Sequence, residues 1–207
     1  MICTYSFSTA GGHPVNEDAF VLRPYPGDEE HWLLTLADGQ GGQRGGARAA
    51  QLACRVASEQ AGHNLSDWVE MLTAADAMVA ADADAGFTTL IGLSVEGSAL
   101  TGASCGDSAV LAVCGLSQFH ILTTRQFKNP PVGSGEVSFV PFAMKLVHPW
   151  KVLAMTDGVW KYAGWERIRA LAAEFCGEEL LSQLQSAARL HSGQFPDDFT
   201  VVLLEGD

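Results

Sequence analysis

The residues best placed to do chemistry are carboxylates, and they recur where apolar runs end. The run "HWLLTLA" stops at Asp38-Gly39, and "KVLAMT" stops at Asp157-Gly158. One isolated Asp-Gly between alternating strands is an ordinary hairpin turn. Here no partner strand returns at once, because "QGGQRGGARAA" and "VWKYAGWERI" both lead towards helices. Asn16, Glu17 and Asp18 stand just before another strand-like run, Asp197 and Asp198 open the last one, and Asp107 sits in the tight turn "SCGDSAV". Each of these alone suits a solvated turn. If the strand ends converge, the carboxylates crowd one place, and their repulsion is costly. A hard divalent cation removes that conflict. All-oxygen ligation without His or Cys suits Mg²⁺ or Mn²⁺ rather than zinc, and the glycine after Asp38 lets a metal or its water come close to the backbone.

The elements that must position these groups follow from periodicity. Strands are expected at about 2–8, 18–23 and 31–37. A helix over 44–61 carries Ala50, Ala53, Cys54, Ala57 and Ala61 as a stripe of small residues. A second, over 67–83, puts Trp68, Leu72, Ala75 and Val79 on one face, with Ser66 as its N-cap. Residues 87–123 read as successive strands separated by Glu96-Gly97, Gly106-Asp107 and Gly115, as in an antiparallel meander. The loop "RQFKNPPVGSG" over 125–135 is dense in Pro and Gly. Strands at 136–142 and 150–156, helices at 163–175 and 178–191, and the strand "FTVVLLE" complete the chain. Strict βαβ alternation is absent, so a doubly wound parallel sheet does not fit. The order predicts an α+β fold: a four-layer α-β-β-α sandwich of two mainly antiparallel sheets flanked by helix pairs. No linker divides the 207 residues, so one domain over 1–207 is expected.

Bulk properties exclude several partners. Acidic residues outnumber basic ones 24 to 12, giving a net charge of −12. Such a surface repels nucleic acid and anionic membranes. The cysteines (Cys3, Cys54, Cys105, Cys114, Cys176) show no CxxC spacing, which fits reduced, buried thiols in a cytoplasmic protein. No signal peptide and no window of about 18 apolar residues is present. Gly41 and Gly46 have the spacing of a phosphate-binding loop, but Ala47-Arg48 replaces its Lys-Ser or Lys-Thr, and Arg44 occupies the last glycine of G-x-G-x-x-G. Both nucleotide motifs therefore fail.

The ordered set "NEDAF … LADGQGG … FTTL … GDS … TDG … PDDFT", from residue 16 to residue 202, resembles the metal-dependent protein phosphatase 2C family. Each motif is short, but six in one order are specific. The resemblance implies two antiparallel sheets flanked by helix pairs, in agreement with the element order. It also implies hydrolysis of phosphoserine and phosphothreonine on proteins, with two Mn²⁺ or Mg²⁺ ions that activate a water for in-line attack on phosphorus. By position, Asp38 would bridge the metals and Gly39 would offer its carbonyl to one. Asp157 and Asp197 would complete one site, and Asp18, with Glu17 behind it, would serve the other. Asp38, Asp157 and Asp197 are thus the expected catalytic centre. Asp107 matches a position that contributes to a weaker third metal in many bacterial members. Asp198 stands where an asparagine is usual and is not expected to ligate. Thr88 and Thr89 match paired threonines of structural role. The implied partner is a phosphorylated protein such as a cognate kinase or its target, and the short length suggests a bacterial member.

Three departures bear on the substrate. The family's phosphate-holding arginine, three residues before the asparagine, is His13 here, which lacks the bidentate fork of arginine. Ala109 follows "GDS" where arginine is common, and only 50 positions separate Asp107 from Asp157, so a short or absent flap is expected around 125–135. His13 and Arg44 are the candidate substrate contacts. Arg125 and Lys128 are further candidates, although a solvated loop is the commoner role for such residues. The alternatives are a degenerate phosphatase acting as a binding module with little turnover, favoured by His13, and a phosphatase for small metabolites.

Overall fold

The protein is described by a computed structural model that covers residues 1–41, 44–59, 64–115 and 118–206, without the side chain of Glu29. Gly42 of the glycine run, residues 60–61 of the expected first helix, and His63 lie outside the described residues.

Among the described residues, ten strands form two five-stranded sheets in which every pairing is antiparallel. The strands are β1 (Ile2–Thr9), β2 (Asp18–Tyr25), β3 (Asp28–Asp38), β4 (Leu90–Glu96), β5 (Ala99–Cys105), β6 (Ala109–Cys114), β7 (Gln118–Ile121), β8 (Val140–Lys145), β9 (Trp150–Met155) and β10 (Phe199–Gly206). One sheet runs β1-β10-β9-β6-β7 and the other β2-β3-β4-β5-β8. Side chains alternate across each strand, so β3 sends Leu34 and Leu36 into the space between the sheets and Leu33 and Ala37 to the outside. Leu34, Leu36, Ile91 and Leu93 meet Val110, Val152, Val202 and Leu204 there, all fully buried. Each such side chain contributes about 1.5–3 kcal/mol of burial free energy.

Helices cover both outer faces. On one lie α1 (Gly46–Ser58) and α2 (Leu65–Ala80). Ala49, Ala50, Ala53 and Ala57 form the buried face of α1, and such small side chains bring a helix close to its sheet. On the other lie α3 (Asp157–Ala163), α4 (Trp165–Glu174) and α5 (Gly177–Ala188), packed through Val159, Ile168, Leu180 and Leu184. Lys151 on β9 ties this layer down by donating to the carbonyls of Ala172 and Phe175 (both 2.7 Å) at the end of α4. The expected α-β-β-α sandwich is therefore present.

Four local expectations are corrected. Asn64, not Ser66, caps α2, because its side chain accepts from the backbone nitrogens of Ser66 and Asp67. The strand expected at 136–142 begins at Val140. The second helix layer has three members, because Asp157 already opens a helix and Gly164, at φ 79°, separates α3 from α4. The meander breaks at Gly106: β5 pairs with β4 and β8, whereas β6 pairs with β7 and β9 in the other sheet. The turn carrying Asp107 is a crossing between sheets, not a hairpin.

Candidate active site

The carboxylates come from both sheets and meet at one end of the sandwich. In the β2–β3 ladder Asp18 lies directly opposite Asp38. In the other sheet, Asp157 follows the end of β9, and Asp197 and Asp198 precede β10, its hydrogen-bonded neighbour. Asp107 lies at the crossing from β5 to β6. Side-chain hydrogen bonds join the sheets here. The Thr156 hydroxyl donates to Asp18 (2.8 Å), and the buried Asp198 carboxylate accepts from the backbone nitrogens of Gly11 (2.9 Å) and Glu17 (2.6 Å). Asp198 thus spends its oxygens on fastening the segment before β2.

The two Asp-Gly pairs have a common physical reason. Neither Gly39 nor Gly158 takes a positive φ, so turn geometry does not require them. A Cβ on Gly39 would stand 2.4 Å from the Gly46 backbone and 2.7 Å from the Glu17 carbonyl oxygen, and one on Gly158 would stand 1.9 Å from the Asp198 carbonyl oxygen. Each glycine lets the segment bearing one carboxylate abut the segment bearing another. The backbone of Asp38 is clamped in turn: its carbonyl accepts from the Thr88 hydroxyl (2.8 Å) and the Thr89 nitrogen (2.9 Å), and its nitrogen bonds the Thr89 hydroxyl (2.9 Å).

The charges are in conflict. Burial pushes Asp38 up to about 9, reinforced by Asp18, Asp157, Asp107 and Asp197. Burial also raises Asp18 to about 7, with hydrogen bonds from Thr200 and Thr156 opposing and Asp198 and Asp157 adding to the rise. Asp157 is raised by burial, against the opposing pull of Lys161. Asp38, Asp107 and Asp157 each offer an oxygen within 4.8 Å of the others. Asp18 Oδ1 is buried and has no hydrogen-bond partner among the described residues. A buried orphan oxygen beside a set of mutually repelling carboxylates fits a hard divalent cation.

These groups open onto a cavity of about 610 Å³ whose lining includes Asp38, Gly39, Asp107, Asp157, Asp197 and His13. His13 Nε2 lies 3.9 Å from both Glu17 and Asp198. Arg44 and Arg125 are exposed and not part of the lining, whereas Lys128 is. Sequence reasoning missed Lys161, which also lines the cavity and pairs with Asp157. Its signal was the four-residue spacing from Asp157, legible only once α3 is known to begin at that residue.

A family model described as stage II sporulation protein E (SpoIIE) matches residues 28–207. The chain belongs to this family. It is a SpoIIE-type phosphatase 2C domain, as the six motifs implied. A search among curated proteins finds no match. Solved structures similar to this SpoIIE-family chain include a bacterial serine phosphatase (20% identity, TM-score 0.84, covering 100% of this chain and 99% of that one). Another is the serine/threonine phosphatase Stp1 from Staphylococcus aureus (19%, 0.82, 100% and 96%). A third is RsbX, solved in complex with magnesium (14%, 0.78, 99% and 94%). At these identities the likeness establishes a shared fold. Among the described residues, no helix of the SpoIIE-type domain is long and apolar enough to cross a membrane.

Proposed function

We propose that the protein hydrolyses phosphoserine and phosphothreonine on a protein partner, with Mn²⁺ or Mg²⁺ held by the carboxylate cluster. The observation that carries this is the convergence of Asp18 and Asp38 from one sheet with Asp157 and Asp197 from the other, around an Asp38 carboxyl raised to about 9. Asp38 and the Gly39 carbonyl would hold the ions. Asp157 and Asp197 would help to hold them from one sheet, and Asp18, turned by the Thr156 hydroxyl, from the other. When bound, the ions supply an activated water and neutralise charge on the phosphoryl group. RsbX, with the same fold, was solved with magnesium, which supports the choice of ion. Glu17 and Asp198 keep the first strand-end segment in place, and His13 meets the substrate at the mouth of the cavity. Arg44, outside the lining, contacts the substrate chain beyond its phosphate. Free thiols at all five cysteines suit work in the cytoplasm on a kinase or its target.

The test is phosphate release from phosphoserine and phosphothreonine peptides, with Mn²⁺ and with chelator. Turnover that needs Mn²⁺ and disappears in Asp38→Asn is expected. A second reading, a binding module with little turnover, draws on the lysines paired with Asp107 and Asp157. It predicts phosphopeptide binding without release. Faster release from phosphorylated metabolites than from peptides would redirect the proposal to a small-molecule substrate.

A further inference from the structure

The acidic cluster already contains cations of the protein's own. Lys161, on α3, pairs with Asp157 Oδ2, and its Nζ lies 3.8 Å from Asp107 Oδ2. Lys128, from the loop before β8, pairs with the same Asp107 oxygen. Two ammonium groups therefore converge on one carboxylate oxygen, and one of them links Asp107 to Asp157.

This arrangement is built rather than incidental. Asp107 is fixed to α3 by its backbone, because Trp160 Nε1 donates to its carbonyl oxygen (3.0 Å). Trp160 is itself stacked on Trp165, with ring centroids 5.8 Å apart. The Lys161 ammonium stands 5.8 Å from the centroid of the Trp160 ring, within the range of cation–π attraction. The same helix thus presents Asp157, the tryptophan that holds Asp107, and the lysine that spans the two carboxylates. In the other direction, Lys128 belongs to a loop pinned by the Cys105 thiol, which donates to the Phe127 carbonyl (3.1 Å). Both ammonium groups are held by elements that are themselves anchored.

We propose that Lys161, assisted by Lys128, occupies the position where a further divalent ion would join Asp107 to Asp157, so that Asp107 binds protein ammonium rather than metal. The inference rests on the reading that the cluster holds catalytic cations, and it removes Asp107 from their ligands. One ammonium carries half the charge of a divalent ion. It also cannot be lost to dilution or chelation, so this corner of the site stays neutralised at any metal concentration. Removing it leaves Asp157 without its ammonium and Asp107 with Lys128 alone, and the opening between the two carboxylates then accepts an additional ion.

The experiment counts bound Mn²⁺ by the electron paramagnetic resonance signal of the free ion, in the wild type, Lys161→Gln and Lys161→Arg. The Lys161 side chain is 41% exposed, so substitution leaves the fold intact, which thermal melts verify. Lys161→Gln is expected to bind one more Mn²⁺ per chain than the wild type, and Lys161→Arg the same number. The extra ion is expected to vanish in Lys161→Gln combined with Asp107→Asn. An unchanged count in Lys161→Gln, with the wild-type ions still lost in Asp38→Asn, overturns this inference alone. If the wild type and Lys161→Gln both bind no Mn²⁺, the inference and the metal-dependent reading fall together.

Discussion

At the scale of residues, the metal-holding role proposed for Asp38 and the stability of the fold pull in opposite directions. Its half-buried carboxyl is crowded by four others and raised to about 9, so its ionised form is a burden on the fold. Asp38→Asn is expected to lower Mn²⁺-dependent turnover by more than about a hundred-fold, since even partners of metal ligands are worth 10–100-fold. The same substitution is expected to raise the melting temperature of the metal-free protein at pH 8. A steady-state assay and a thermal melt read the two effects separately. Gly158 gives a purely steric case. Alanine there would place its Cβ 1.9 Å from the Asp198 carbonyl oxygen, and overpacking of this kind costs about 1–3 kcal/mol or more. Chemical denaturation of Gly158→Ala measures it. The sequence made the carboxylates visible because each ends an apolar run. It did not show what Asp198 does, since its partners Gly11 and Glu17 lie 187 and 181 residues away. A side chain's choice between ligand and fastener is made by such remote contacts.

At the scale of elements, the loop between β7 and β8 is fastened by one side chain of a distant helix. Asp76, on α2, is almost fully buried, and its Oδ1 accepts from the backbone nitrogens of Gly133 (2.6 Å) and Gly135 (3.3 Å). Thr88 and Val132 also exchange backbone hydrogen bonds (3.0 and 3.1 Å), so this loop is fastened to the segment that clamps Asp38. Asp76→Ala removes the acceptor of the half-buried Gly133 nitrogen and the exposed Gly135 nitrogen, at about 0.5–1.5 kcal/mol per hydrogen bond. Amide exchange at Gly133 and Gly135 is expected to speed up, and Asp76→Asn, which keeps the acceptor oxygen, to restore most of the protection. The helices and most strands were legible from periodicity, because their buried faces are apolar at regular spacing. The crossing at Gly106 was not. Only three residues separate β5 from β6, the length of an ordinary hairpin loop. The difference lies in Gly106, held at φ 115° with its α-carbon against Thr89, a packing relation that no local pattern records. The start of α3 at Asp157 was hidden for a similar reason, since seven residues are too few to show a helical period.

At the scale of the whole molecule, two sheets close over one apolar layer and bring acidic strand ends to the same edge, which ties stability to pH. Asp18 and Asp38 are raised above the ordinary carboxylate value of 3.8, to about 7 and about 9. The folded protein therefore favours their neutral forms. The stability this contributes is fully present below about pH 4 and is lost as pH rises through about 7 and then about 9. Melts in chelator are expected to show this decline through that window. Mn²⁺ is expected to offset it most at the alkaline end, where the ligands are ionised. Saturation at a hundred times the dissociation constant adds about 2.7 kcal/mol per site. Anomalous diffraction from crystals soaked in Mn²⁺ tests the central claim most directly. Manganese peaks in coordination contact with Asp38, shared with Asp157 and Asp197 on one side and Asp18 on the other, are predicted. Saturated crystals with no peak beside Asp38 would contradict the account.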